Sequence, residues 1–142
     1  MLKADNCFYC EDGAKRQSLM IEICKFEKST LYLNRDQKHL GRVVLKYHEH
    51  KTDPSELTLE ENQQFFSEMR KVAQAIMALF HPDKINYAIY GDGVPHLHVH
   101  IVPKYKDGLH WGGPFLDTCE KKVLTDDEYN DLIAKFKQVL GK

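Results

Sequence analysis

The fold is decided by the stretch Pro95-His96-Leu97-His98-Val99-His100-Ile101-Val102-Pro103, in which three histidines alternate with aliphatic residues. In a β-strand, residues two apart point to the same face of the sheet. The histidines therefore share one predicted face, and the aliphatic side chains share the other. Prolines are typical of strand ends, so Pro95 and Pro103 mark the predicted limits. The stretch predicts a strand with an apolar face for the core and a histidine face for chemistry.

The row of histidines has three interpretations. A solvated strand face is the least favoured, because three imidazoles in register on an apolar strand are costly without a use. A metal site that uses all three is the second. The third is nucleophilic catalysis, in which a neutral imidazole attacks an electrophile while a neighbouring group holds its other ring nitrogen. Spacing alone does not separate the last two.

The segment from His96 to Val102 resembles the motif of the histidine triad (HIT) superfamily, His-φ-His-φ-His-φ-φ with φ apolar, at every position. The resemblance implies hydrolysis or transfer at the α-phosphate of a purine nucleotide, through a nucleotidyl-histidine intermediate. It makes His98 the nucleophile and places His100 on the phosphate side. Dinucleoside polyphosphates and adenosine 5′-phosphoramidates are the expected substrates. The alternative is a nucleotide-binding or scaffold protein without significant turnover.

Length and composition favour one soluble globular domain over residues 1–142. Hydrophobic residues make up 42% and charged residues 29% of the chain, and the net charge is -1. A general nucleic-acid binder would carry a basic excess, so no nucleic-acid partner is expected. No apolar run approaches the roughly 18 residues that a membrane helix needs, and the first six residues lack the apolar core of a signal peptide. We expect a cytoplasmic protein.

The remaining pattern predicts an α+β fold of the HIT type, with an antiparallel sheet of about five strands, one long helix and a C-terminal helix. Thr58 and Glu61 form a capping-box signature, an apolar stripe follows at helical spacing, and Pro82 ends the helix. Thr125 and Glu128 form a second capping box. The other predicted strands cover residues 19–26, 31–34, 42–47 and 85–90. Relatives commonly form two-fold dimers, so the resemblance implies a homodimer.

The four cysteines divide into a pair and two isolated residues. Cys7 and Cys10 form a Cys-x-x-Cys pair, which in a reducing compartment is more often a metal or redox site than a disulfide. Cys24 lies in an apolar run and is predicted to be buried. Cys119 has no assigned role.

Related bacterial proteins and galactose-1-phosphate uridylyltransferases hold structural zinc with such a pair and two histidines. The resemblance therefore implies a zinc site at Cys7, Cys10, His50 and His96, which is a closed tetrahedral set. His48 competes with His50 as the third ligand, although ungapped counting from the preceding glycine favours His50. The alternative is a pair of free thiols, with His96 hydrogen-bonded inside the active site.

Two substrate contacts are predicted near the start of the third strand. Many family members carry histidine directly after the strand-leading glycine, whereas this chain has Arg42. An arginine here can contact phosphate through its planar fork, and the alternative is a surface ion pair. Asn34 falls where the family often has a residue that touches the ribose.

Two further candidates lie in loops on either side of the triad. In Gly91-Asp92-Gly93, backbone amides around Asp92 and Gly93 can face a phosphate, although a plain tight turn explains the glycines equally well. Trp111 is the only tryptophan. Its loop is a candidate to close over a nucleotide base or to reach a partner subunit, and a simple surface anchor is the alternative.

Overall fold

The computed structural model describes residues 4–118 and 120–142. Cys119, to which the sequence assigned no role, lies outside the described residues, as do residues 1–3. The five described strands form one antiparallel sheet in the order β1-β2-β3-β5-β4. The strands are β1 (Met20–Lys25), β2 (Ser29–Asn34), β3 (Val43–Tyr47), β4 (Lys84–Ala88) and β5 (His98–Lys104). The predicted α+β class and five-stranded sheet are confirmed.

Within residues 4–118 and 120–142, four helices and one 3₁₀ turn accompany the sheet. They are α1 (Phe8–Glu11), α2 (Ala14–Leu19), the 3₁₀ turn (Pro54–Glu56), α3 (Leu59–Phe80) and α4 (Asp126–Leu140). The long helix and the C-terminal helix were predicted, and both begin at the capping boxes that the sequence indicated. The short helices α1 and α2 were not predicted, because segments of four and six residues carry no clear periodicity. No helix in the described ranges has the length and apolarity to cross a membrane.

The two faces of the sheet are covered by different layers. Helices α3 and α4 pack on the core face, where Leu97, Val99 and Ile101 are fully buried as predicted. The histidine face is covered by the N-terminal segment, whose Cys7 and Tyr9 cluster with Tyr32 and other apolar side chains. The Cys-x-x-Cys pair and the histidines therefore meet on one side of the sheet.

Helix α3 also anchors the first hairpin through a buried acid. The Glu68 side chain is 1% exposed, and it accepts hydrogen bonds from the Lys28 amide at 2.8 Å and the Ser29 hydroxyl at 2.7 Å. These partners satisfy a carboxylate that would otherwise be costly to bury. The contact fixes the β1–β2 turn against the long helix.

Strand β5 is shifted along the chain relative to the prediction. It begins at His98 instead of His96, because the amides of His96 and Leu97 bond to the Val94 and Lys51 carbonyls in loops. It also continues through Pro103. The pairing of β5 with β3 ends at Ile101, so at Pro103 the strand has only β4 as a neighbour. A missing N–H is tolerated where a strand has lost one neighbour. The β4–β5 connection therefore spans residues 89–97 and is longer than the predicted tight turn.

A tight turn at Gly41 leads into β3 and sets the direction of the side chain that follows it. Gly41 has φ +93°, and a Cβ at this position would meet the Phe80 ring at 2.8 Å. Gln37 is 1% exposed and braces the turn by accepting from the Gly41 amide and donating to the Arg42 carbonyl. Only glycine fits both the backbone angle and the space. The turn delivers Arg42 onto the histidine face.

Candidate active site and metal centre

His98 is held by the backbone of the residue two positions before it. Its Nδ1 lies 2.5 Å from the His96 carbonyl oxygen, which can only accept a hydrogen bond. Nδ1 therefore carries the proton, and Nε2 keeps its lone pair. The side chain is 4% exposed, and burial lowers its pKa, which favours the neutral ring. The arrangement gives an uncharged imidazole with one nitrogen ready to attack an electrophile.

Tyr9 packs beside His98. The Tyr9 ring centroid is 5.0 Å from that of His98 and 5.4 Å from that of His96. Tyr9 belongs to the Cys-x-x-Cys segment, and it is 2% exposed. The N-terminal segment thus forms one wall around the central histidine.

His100 lies on the same face, with its ring centroid 5.0 Å from that of His98. Its Nδ1 is 3.1 Å from Nη2 of Arg42, and because a guanidinium only donates, Nδ1 is the acceptor. A neutral His100 therefore carries its proton on Nε2. Burial, and then the charge of Arg42, lower the pKa of His100 to about 3. His100 is thus a neutral hydrogen-bond donor through Nε2.

Arg42 is buried at the centre of a polar and aromatic group. It is 2% exposed, and its Nη1 donates to Asp117 Oδ1 at 2.6 Å. Its guanidinium carbon lies 4.9 Å from the centroid of the Phe115 ring. Its Nε has no hydrogen-bond partner among the described residues. Arg42 does form an ion pair, as one interpretation of the sequence had it, but the guanidinium is not on the surface.

A second constellation joins the N-terminal pair to the triad. The side chains of Cys7, Cys10, His50 and His96 present ligand atoms that all lie within 4.8 Å of one another. The Cys7 Sγ–His96 Nδ1 distance is 3.4 Å, Cys10 Sγ–His50 Nδ1 is 3.3 Å, and the two Nδ1 atoms are 3.2 Å apart. A tetrahedral zinc site with bonds of about 2.0–2.3 Å has edges of roughly 3.3–3.8 Å. The four residues fit such an ion.

The outer contacts of this cluster favour metal binding as well. His96 Nε2 lies 2.8 Å from the Tyr47 carbonyl oxygen, so Nε2 carries the proton and Nδ1 faces the cluster with its lone pair. Burial lowers the pKa of His96 to about 4, which keeps the ring neutral, as a ligand must be. His48 Nε2 instead lies 3.0 Å from Thr30 Oγ1, so His50 is the histidine that joins the cluster.

The other predicted substrate contacts lie at the end of β2 and in two loops. Asn34 ends β2, and its side-chain amide donates to the Asp36 carbonyl at 3.0 Å. Asp92 and Gly93 are exposed in the β4–β5 connection. Trp111 is 41% exposed and lines a groove of about 330 Å³ with Lys84, Lys104 and neighbouring residues, and no triad histidine is among them. The structure brings Arg42 and the histidines together, but it does not bring Trp111 into the same groove.

Sequence reasoning missed Asp117, Phe115 and Tyr9. Asp117 is 75 residues from its partner Arg42, and no spacing rule connects the two. Phe115 packs 6.3 Å from the His100 ring, and it follows the glycines of an irregular loop. The sequence held a signal for Tyr9 alone, because a residue between two candidate metal-ligating cysteines must lie near the candidate site.

Comparison with known proteins places this geometry in context. Residues 15–107 match the HIT domain family. The chain is 40% identical to the bis(5'-adenosyl)-triphosphatase of Saccharomyces cerevisiae over 74 residues, which cover 42% of this chain and 36% of the yeast protein. The match thus spans little more than a third of the length of that curated relative.

Solved structures agree in fold. A histidine triad protein from Marinobacter aquaeolei superimposes with a TM-score of 0.82 at 23% identity, over 89% of this chain and 93% of the other. A zinc-bound histidine triad family protein from Mycobacterium smegmatis gives a TM-score of 0.66 at 20% identity, over 96% and 94%. At these identities the likeness concerns the fold. Because the family match covers more than half of the 142 residues, the chain belongs to the HIT family.

Proposed function

We propose that the protein hydrolyses or transfers a nucleoside phosphate at its α-phosphorus, through a nucleotidyl-His98 intermediate. The observation that carries the proposal is the 2.5 Å contact between His98 Nδ1 and the His96 carbonyl oxygen. This contact leaves Nε2 as the basic atom of a neutral imidazole. The family assignment and the partial likeness to a diadenosine triphosphatase support a nucleotide as the substrate.

The proposed reaction proceeds in two steps. His98 Nε2 forms a bond to the α-phosphorus, and the bond from phosphorus to the leaving group breaks. The leaving group departs with the electron pair of that bond and takes up a proton. His100 is proposed to donate a hydrogen bond from its Nε2–H to a phosphate oxygen, and the leaving group takes its proton from solvent. An oxygen of water or of another acceptor then bonds to the phosphorus, and the bond between phosphorus and His98 Nε2 breaks. Its electron pair returns to Nε2, the acceptor loses a proton to solvent, and the nucleotide is released.

The remaining contacts bind and orient the substrate. Arg42 neutralises phosphate oxygens with its fork. Asn34 is proposed to contact the ribose, the amides around Asp92 and Gly93 to face phosphate, and Trp111 to close over a base. Dinucleoside polyphosphates and adenosine 5′-phosphoramidates are the proposed substrates, with a purine nucleoside on the side that His98 attacks.

Zinc is the proposed occupant of the second constellation, held by Cys7, Cys10, His50 and His96. A closed set of two thiolates and two imidazoles supplies structural rigidity and has no open position for substrate. The residues themselves connect the N-terminal segment to the triad, because His96 contributes both a ring nitrogen to the cluster and the carbonyl that holds His98. We further propose a homodimer located in the cytoplasm.

A second candidate is a nucleotide-binding protein without significant turnover. The observation in its favour is the burial of His98, which is 4% exposed, together with the carboxylate already bound to Arg42. On this view the pocket binds a nucleotide but the nucleophile does not reach phosphorus.

The deciding experiment is incubation of the purified chain with bis(5'-adenosyl) triphosphate and, separately, with adenosine 5′-phosphoramidate. Release of AMP by the wild-type protein and its loss in His98→Asn support the enzyme. Tight nucleotide binding without AMP release supports the binding protein. Activity that survives removal of metal by a chelator argues against a metal hydrolase that uses all three histidines.

A further inference from the structure

We propose that Asp117 is a positioning residue for His100: its carboxylate holds Arg42, and Arg42 keeps the His100 proton on Nε2. His100 then presents one fixed N–H to a phosphate oxygen. This role adds to the phosphate contact proposed for Arg42, and it requires no contact between Asp117 and substrate. Its effect on catalysis rests on the proposed function, whereas the arrangement of the three side chains can be measured without turnover.

The contact between Arg42 and His100 is compatible with one form of the imidazole. Arg42 Nη2 lies 3.1 Å from His100 Nδ1, and a guanidinium has donors only. The Nδ1–H tautomer and the imidazolium would both direct an N–H at this donor. The neutral ring with its proton on Nε2 is therefore the form that accepts from Arg42. Because arginine stays charged in proteins, this donor does not titrate away.

Asp117 fixes the direction of the guanidinium. Its Oδ1 lies 2.6 Å from Arg42 Nη1, and its Oδ2 lies 3.4 Å from Nη2. Each Nη atom carries two hydrogens, so Nη2 can donate to Asp117 and to His100 together. Among the described residues, these two side chains are the only hydrogen-bond partners of the Arg42 side chain. The carboxylate thus supplies two of the three polar contacts that orient Arg42.

The burial of Arg42 explains why the carboxylate matters. The Arg42 side chain is 3% exposed, whereas that of Asp117 is 59% exposed. A buried cation without a nearby anion is unfavourable, so loss of the carboxylate favours movement of the guanidinium toward water. The Phe115 ring, whose centroid lies 4.9 Å from the guanidinium carbon, contacts Arg42 but does not direct its N–H groups. Because Asp117 is largely exposed, its replacement leaves no buried gap.

The charges that face His100 come from Arg42 and Asp117. Burial, and then the charge of Arg42, lower the pKa of His100 to about 3, while the Asp117 carboxylate acts in the opposite direction. Removal of Arg42 therefore raises the pKa of His100. The remaining neighbours of His100 are rings, which belong to His98, Tyr90 and Phe115 at centroid distances of 5.0, 5.7 and 6.3 Å.

The structural test is NMR of the full chain at pH 7, in which two-bond ¹H–¹⁵N correlations show which ring nitrogen of His100 carries the proton. The His100 signals are identified by their loss in His100→Gln. Wild type is expected to hold roughly 90% or more of the Nε2–H tautomer. Asp117→Asn, which keeps the shape and removes the charge, is expected to show roughly 20% or more of the Nδ1–H tautomer. The matched control is Asp131→Asn, whose carboxylate is 63% exposed and pairs with Lys135 on α4, and it should match wild type.

A second variant tests Arg42 directly. Arg42→Met removes the donor and the charge while it keeps a long side chain. It is expected to raise the pKa of His100 from about 3 to roughly 4–6, measured by NMR titration. In an Arg42→Met background, Asp117→Asn is expected to have little further effect on the His100 tautomer, because the carboxylate acts through the guanidinium.

The catalytic test is kcat for bis(5'-adenosyl) triphosphate. Asp117→Asn is expected to lower kcat roughly 3- to 10-fold, because His100 loses its fixed tautomer and its fixed orientation toward phosphate. Asp131→Asn is expected to keep the wild-type kcat. The tautomer change of Asp117→Asn without any fall in kcat would overturn the catalytic part of the proposal.

Three NMR results would overturn the positioning role itself. They are a proton on Nδ1 of His100 in wild type, unchanged His100 signals in Asp117→Asn, and an equal effect of Asp117→Asn with and without Arg42. If no form of the protein releases AMP, the proposed function fails. The His100 spectra still decide in that case whether Asp117 positions His100 through Arg42.

Discussion

The carbonyl oxygen of His96 lies 2.5 Å from Nδ1 of His98, while the His96 ring contributes its own Nδ1 to the cluster with Cys7, Cys10 and His50. One residue therefore connects the candidate metal centre to the proposed nucleophile. The His96 carbonyl oxygen fixes the tautomer of His98, and the contacts of the His96 ring hold that carbonyl in place. This relationship explains why the two constellations meet at residues only two positions apart.

Replacement of His98 separates chemistry from binding. His98→Asn is expected to lower kcat on the order of 10³-fold or more, because the attacking atom is lost. AMP affinity, measured by calorimetry, is expected to change little. His48→Asn is the matched control, since His48 bonds to Thr30 outside both constellations. An active His98→Asn protein would contradict the assigned role.

Loss of one ligand is expected to empty the metal centre. Cys10→Ala should reduce bound zinc from about one ion per chain to none in elemental analysis, and it should lower the free energy of unfolding by roughly 3 kcal/mol or more. Cys24→Ala is the control, because Cys24 is packed in the other core. Equal zinc content in Cys10→Ala and wild type would contradict the ligand set.

The turn before β3 provides a test of the fold. Gly41→Ala places a Cβ 2.8 Å from the Phe80 ring at a residue with φ +93°. The unfavourable backbone conformation alone is expected to lower the free energy of unfolding, measured with denaturant, by about 1–3 kcal/mol. Gly113→Ala is the control, since no atom lies within 4 Å of its added Cβ and its φ lies outside the left-handed region. A Gly41→Ala protein as stable as this control would show that the turn is not restrictive.

Much of this architecture could be predicted from the sequence. The alternation of histidine with aliphatic residues predicted the two faces around His98. The capping boxes predicted where α3 and α4 begin. Both signals are local in the sequence. The start of β5 was displaced because the amides of His96 and Leu97 bond to distant loops. Arg42 and Asp117 are 75 residues apart in the sequence. Their pairing depends on the conformation of a glycine-rich loop, which no local signal encodes.

A buried histidine outside the triad predicts a dependence of stability on pH. His39 is 5% exposed and lies 3.0 Å from His110 Nδ1. Burial, and then the proximity of His110, lower the pKa of His39 from 6.5 to about 4. Between these values the unfolded chain binds a proton that the folded chain does not. The free energy of unfolding is therefore expected to fall as the pH falls from 6.5 to 4, by up to about 3 kcal/mol.

The measurement is denaturant unfolding of wild type and His39→Gln at pH values across this window. The variant lacks the titrating group, so its loss of stability on acidification is expected to be smaller than that of wild type. Titrating groups that do not contact His39 affect both proteins alike and cancel in the difference. Parallel curves for the two proteins would show that His39 titrates normally in the fold.

The proposed bond from His98 Nε2 to phosphorus is tested most directly by mass spectrometry after rapid mixing with bis(5'-adenosyl) triphosphate. The reaction is quenched with denaturant and kept at alkaline pH, because a phosphorus–nitrogen bond hydrolyses in acid. The proposed mechanism predicts a peptide that contains His98 and carries one adenylyl group, and no adduct in His98→Asn. AMP release without any adduct on His98, or an adduct on another residue, would contradict it.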